Sequence, residues 1–259
     1  MATKWAKFAY ADNSYVYEGA ALKKHWDRLH RGDREPFSKD EAAQTAWRHF
    51  HAGDFQQAVE TGIKAGGTAM NAAVKAQAIY ANYLEKSDKI KLSLFEEAAA
   101  WAEERQAEAA KDANAFYLYA FALGRYSQGI SVAKALAQGF GSKIKAALTT
   151  ALKLQPAHAD AHTAFGAYQA EVIAKVGALV AGMTYGAKKD SALEHYQKAI
   201  ELNPESAIAH IEYGNGLILL MGNSGIGEAT KLYEKAAKCK PADAMERLDV
   251  ELARSELAD

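Results

Sequence analysis

The chain has 259 residues, of which 24% are charged and 49% hydrophobic, and a formal net charge of -1 from 31 basic and 32 acidic residues. No basic excess exists to neutralise phosphates, which argues against nucleic acid as the main partner. Four prolines and 19 glycines are too few for the turns of a β-sandwich or barrel, and the single cysteine, Cys239, makes neither an internal disulfide nor a metal cluster.

The start, Met1 to Phe8, lacks the apolar run of a signal peptide. The longest weakly polar stretch, Val176 to Ala187, falls short of the about 20 apolar residues that a bilayer span needs. The expectation is a soluble cytoplasmic protein without a membrane span. Residues 1–36 form a first segment rich in aromatics (Trp5, Phe8, Tyr10, Tyr15, Tyr17, Trp26) that ends in the charged turn Arg31 to Pro36. A helix from about Tyr15 to His30 is predicted, with Asn13 and Ser14 as N-cap oxygens. Such a segment caps the apolar face of a first repeat, or else docks a partner through its aromatics.

Residues 37–259 read as helix after helix. Ser38 with Glu41 has the form of a capping box, and Ala43, Ala46, Trp47 and Phe50 follow at helical spacing. Gly53-Asp54 breaks that helix, Phe55 to Ile63 forms the next, and Gly66-Gly67 ends it. Further helices are predicted over 69–86, 89–109, from Asp112 through Tyr126, and over 142–154, 158–181, 188–202, 205–221, 226–238 and 242–257. No alternating β-rich window competes with this reading.

Three of the prolines share one register. Pro156, Pro204 and Pro241 each follow an alanine by five residues (Ala151, Ala199, Ala236) and a bulky residue by eight (Leu148, Tyr196, Tyr233). Small residues let antiparallel helices approach, the bulky residue fills the gap toward the next hairpin, and proline stops the helix. Upstream stand Leu123-Gly124, Phe165-Gly166 and Tyr213-Gly214. The set resembles the tetratricopeptide (TPR) repeat of about 34 residues. The resemblance implies an all-α, α-α superhelix of TPR-like hairpins, about ten to twelve helices with an N-terminal cap. Two hairpins are stretched by small-residue inserts at 130–141 and 172–187. Long hairpins of this kind are also similar in architecture to the regulator of microtubule dynamics family and to the T component of TRAP transporter systems.

No catalytic fingerprint is present, so the chain is not read as an enzyme. His158 and His162 lie one turn apart, a metal-compatible spacing without a third ligand, and packing is the simpler reading. Glu96-Glu97 and Glu103-Glu104 read as a solvated face, and Cys239 lacks a base to activate it. No metal or cofactor is expected. In the repeat register, Arg125, Tyr126, Gln128, Thr163, Gln169, Glu212 and Asn215 belong to a concave groove for a protein or peptide partner. The lysine–asparagine clamp for a peptide C-terminus is not reproduced. Two alternatives remain: a small apolar ligand walled by the two inserts, and self-assembly through the ends of the superhelix.

Overall fold

The computed structural model describes residues 5–258. Met1 to Lys4, which belong to the predicted cap and to the start inspected for a targeting signal, lie outside them, as does Asp259. The helices are α1 (Ala20–Leu29), α2 (Glu41–Ala52), α3 (Phe55–Ala65), α4 (Met70–Tyr83), α5 (Asp88–Glu108), α6 (Ala113–Gln128) and α7 (Val132–Ala137). They continue as α8 (Phe140–Leu154), α9 (Ala159–Val176), the single turn α10 (Ala178–Val180), α11 (Lys189–Leu202), α12 (Ala207–Met221), α13 (Ile226–Ala236) and α14 (Ala244–Glu256). No strand occurs among the described residues. The one full helix that the periodicity does not announce is α7, which lies inside the first insert.

Three boundaries differ from expectation for local reasons. Asp12 takes the Ser14 amide at 2.8 Å and holds Asn13–Tyr15 in a single 3-10 turn, so α1 starts only at Ala20, after Gly19 at φ 53°. The capping box at Ser38 does not form. Asp40 caps α2 by accepting from the Ala42 amide at 2.9 Å, while Ser38 Oγ accepts from the Asp40 amide at 3.1 Å. A carboxylate on the first free amides also suits the helix dipole better than a hydroxyl. The long helix expected over 158–181 stops at Val176 because Gly177 turns the chain at φ 81°. A π-helical turn, Ala181–Tyr185, follows α10.

Hairpin packing follows the repeat register. Ala151, Ala199 and Ala236 are buried between helices, and Leu148 and Tyr196 fill the space beside them. The Tyr196 ring lies so close to α9 and α12 that a Cβ at Gly166 or Gly216 would stand 2.9 or 2.5 Å from it. Five outer helices (α3, α5, α8, α11, α13) back an inner series, α2, α4, α6, α9, α12 and α14, in which each helix packs on the next.

The inner series then closes, because α14 packs against α2. His51 of α2 meets Asp243, the N-cap of α14, at 2.8 Å, and both are buried. Tyr17 Oη donates to the Ala242 carbonyl at 2.7 Å, and Arg28 forks onto Glu246 at 2.6 and 2.9 Å. One core accordingly joins Leu22, Trp26 and Leu29 of α1 to Trp47 and Phe50 of α2, Tyr80 of α4, and Ala244 and Leu248 of α14. The N-terminal segment therefore seals the two ends of the repeat array against each other. His51, in the last turn of α2, is part of this seal.

The segment from His30 to Phe37 crosses the ring at the N-terminal ends of the inner helices. Asp33 accepts from Lys75 Nζ at 2.6 Å, and Glu35 accepts from the side-chain amides of Asn71 (3.0 Å) and Asn114 (2.6 Å). The Gly32 carbonyl accepts from the Asp160 amide at 3.1 Å. Helix N-termini present unpaired amides and a partial positive charge, so carboxylates gather there. Burial alone would raise the Asp33 carboxyl, but Lys75 and His30 outweigh it and hold it well below the usual carboxylate range. Glu35 has no such cation: burial, with Asp33 and Asp112 nearby, pushes it well up.

Candidate functional site: the central cavity

With the N-terminal face plugged, the concave side of the superhelix becomes a cavity of about 180 Å³ that opens toward the C-terminal ends of the inner helices. Its inner end is formed by Lys75, Ile79 and Tyr83 of α4, Tyr117 and Phe121 of α6, Asp160 of α9, and Met245 and Asp249 of α14. Gln128, Val132, Leu136 and Lys175 stand at its exposed mouth. Both inserts reach it: the first supplies Val132, Ala135, Leu136, Phe140 and Gly141, the second Val172, Lys175, Val176 and Tyr185. They also meet each other, since a Cβ at Gly141 would stand 2.9 Å from the Tyr185 ring.

The polar groups of the wall are mostly spoken for. Arg125 donates to Glu212 at 2.6 Å, Lys175 to Glu171 at 3.0 Å, and Lys75 to Asp33 at 2.6 Å. Among the described residues, Asp249, on α14 between the buried Leu248 and Val250, has only the Tyr83 hydroxyl as a donor. Burial, reinforced by Glu246, Asp243 and Asp160, pushes its carboxyl up to about 8 despite that hydrogen bond. Burial likewise lifts Asp160 to about 6, although Lys75 Nζ stands 4.0 Å away. The Tyr168 hydroxyl on the cavity wall is buried without a partner among the described residues.

Of the seven groove residues expected from the repeat register, Arg125, Gln128, Thr163 and Glu212 line this cavity. Asn215 lies in an adjoining cleft beside Arg125, Gln128 and Glu212, where it accepts from the Tyr233 hydroxyl at 2.6 Å. Tyr126 turns away into the α6–α8 core, edge-on to Phe140. Gln169 is buried between α9 and the start of α11, donating to Ser191 Oγ and accepting from the Lys188 amide. The sequence reading missed Asp249, Asp160, Tyr83 and Tyr117. One signal was available for Asp249: a carboxylate inside the apolar run Leu248-Asp249-Val250.

The histidine pair does not converge. His158 caps α9 through Nδ1 and bonds Asn114 Oδ1 through Nε2 at 2.9 Å, whereas His162 faces His195 and the Pro156 carbonyl. Among the described residues, no group of three His, Cys, Asp or Glu side chains is arranged to hold a metal ion. No helix among them is long and apolar enough to cross a membrane.

A family model described as "Regulator of microtubule dynamics protein 1-3" matches residues 68–257. No curated protein sequence matches the chain. Among solved structures, the thermophilic TPR protein TTC0263 of Thermus thermophilus is similar over 84% of this chain and all of its own, at 15% identity and a TM-score of 0.56. YrrB, described as a TPR protein with an unusual peptide-binding site, covers 90% of this chain with 98% of its own at 15% identity. Its TM-score is 0.42, too loose a likeness to carry an argument about binding.

Proposed function

The chain belongs to the regulator of microtubule dynamics protein 1-3 family, and we propose that it is a non-catalytic TPR-like module whose working site is the central cavity, occupied by one small ligand with a large apolar part. The observation that carries this reading is the enclosure itself. An apolar space of about 180 Å³, walled by both inserts and open at one end, is bounded by a plug and a sealed ring rather than by an open groove. A cavity of roughly 150 Å³ already accepts a benzene-sized molecule in a protein core. Ligand sites of small molecules share this character, mostly apolar with a few convergent polar groups.

Gly124 provides the test, since it lines the cavity and a Cβ placed there meets no atom within 4 Å. Gly124→Phe should fold, judged by an unchanged far-ultraviolet spectrum. It should take up a neutral apolar dye such as Nile red at least tenfold more weakly than the parent. Equal uptake by a folded variant would remove the cavity as the site.

Binding of a partner protein has one specific support of its own. Leu179 and Met183, at the tip of the second insert, are 76% and 82% exposed. Large apolar side chains exposed side by side mark a contact surface more often than a solvated one. If a partner docks there, Leu179→Glu abolishes its recovery in affinity purification while Gly124→Phe leaves it intact. The reverse pattern would assign partner binding to the cavity. Head-to-tail stacking has less to work with, because the two ends of the inner series already cover each other.

A further inference from the structure

The charges around the cavity do not balance. Each basic group of its wall has a carboxylate of its own: Lys75 has Asp33, Arg125 has Glu212, and Lys175 has Glu171. Two carboxyls are left over, Asp160 and Asp249, both on the inner wall. Asp160 has only the distant contact to Lys75 at 4.0 Å and no hydrogen-bond donor to its side chain among the described residues. Asp249 is the stronger case. It is 3% exposed, it has no basic partner among the described residues, and the Tyr83 hydroxyl occupies one of its two oxygens. Its second oxygen accepts no hydrogen bond among the described residues. A buried carboxyl without a cation costs stability, and nothing in the packing of α14 requires one there.

Aromatic rings stand around the same end. Tyr83, Tyr117 and Phe121 line the cavity beside the two carboxyls. Ring faces attract a cation and repel an anion. Toward the mouth the wall is aliphatic, with Val132, Leu136, Val172 and Val176. An anionic head group would find every cation of the wall already paired and two carboxyls facing it. An uncharged ligand would leave the second Asp249 oxygen without a charged partner.

We propose that the cavity is selective for an amphiphilic amine, with the ammonium seated at Asp249 beside Tyr83 and the hydrocarbon part lying along the inserts toward the mouth. The assignment rests on the cavity being the binding site and adds the chemistry of its ligand. A protonated amine supplies the donor that the second Asp249 oxygen lacks and the cation that its carboxylate lacks. With its carboxyl raised to about 8, the ligand-free Asp249 holds a proton at neutral pH, and seating an ammonium beside it favours the carboxylate and releases that proton.

Three probes with one tail and different heads test this: octylamine, 1-octanol and octanoate. Each is titrated by calorimetry into the full chain at pH 7.5, below its micelle concentration. The expected order is octylamine at least tenfold tighter than octanol, with octanoate weakest. Asp249→Asn keeps an acceptor for the Tyr83 hydroxyl and removes the carboxyl that ionises against the ammonium. It should bring octylamine down to the affinity of octanol and leave octanol unchanged. Octanoate binding as tightly as octylamine, or octylamine unaffected by Asp249→Asn, overturns the assignment. If octanol binds and octylamine gains nothing over it, the amine selectivity is wrong and the cavity reading stands. If none of the three binds to folded protein, the cavity reading itself falls.

Discussion

Replacing Lys75 by Met is expected to cost about 3–5 kcal/mol of folding stability, the usual consequence of stranding one member of a buried ion pair. Lys75 Nζ and Asp33 Oδ2 are 2.6 Å apart with side chains 6% and 3% exposed. Asp33 would keep the His30 ring and the Glu35 amide, at 2.9 and 3.1 Å, but no permanent cation. Asp33, with Glu35, also ties the 30–37 plug to α4, so the loss should reach the closure of the ring. Urea unfolding followed by circular dichroism measures it. The double variant Lys75→Met with Asp33→Asn should recover most of the loss, because no lone charge then remains. A single-variant cost under about 1 kcal/mol would show that water reaches Asp33 and screens it.

The second large effect is a gain. Asp249→Asn should stabilise the ligand-free protein, and increasingly so as pH rises. The sign follows from the raised folded pKa. Between the ordinary aspartate value of 3.8 and about 8, the folded state holds a proton that the unfolded chain has given up. Folding stability contributed by that proton is present at low pH and is lost as pH rises toward 8. Asparagine does not ionise, so the difference between variant and parent should grow from near zero at pH 4 to on the order of 4 kcal/mol at pH 8. Buried His30 and His158, held down to about 4 and about 3 by burial, act in the opposite sense. They remove stability from both proteins alike as pH falls below 6.5, so they cancel in the difference. Thermal unfolding of the pair across pH 5 to 8 reads this directly, and parallel curves would place Asp249 in contact with solvent. A residue whose removal stabilises the fold is a common mark of a site kept for binding.

The helical hairpins were legible because their signals are local. The register of Pro156, Pro204 and Pro241 with their alanines and bulky residues fixes helix ends and small-on-large packing within about 40 residues, close to the TPR period. The inserts were also visible, as departures from that period. The closed ring was not. Its contacts join Tyr17 to Ala242 and His51 to Asp243, separations of 225 and 192 residues that no periodicity encodes. For the same reason only four of the seven groove residues gather around the cavity. The register identifies which helix is inner, and this places Arg125, Gln128, Thr163 and Glu212. It does not say that Tyr126 rotates into the α8 contact or that Gln169 spans to α11. Asp160 escaped because a carboxylate in a first helical turn ordinarily reads as capping, and Asp249 because one carboxylate within a helix ordinarily reads as solvated surface. Only the ring shows that they face inward.

Ring closure also changes how the chain must fold during synthesis. An ordinary solenoid gains stability repeat by repeat, so its first hairpins are secure before the last emerge from the ribosome. Here Trp26, Trp47 and Phe50 share their core with Leu248, and Arg28 waits for Glu246, 218 positions later. The N-terminal helices of a nascent chain therefore expose an unfinished aromatic core until α14 has been made. Removing the last helix should then leave no shortened solenoid, but a chain deprived of its first core as well as its last.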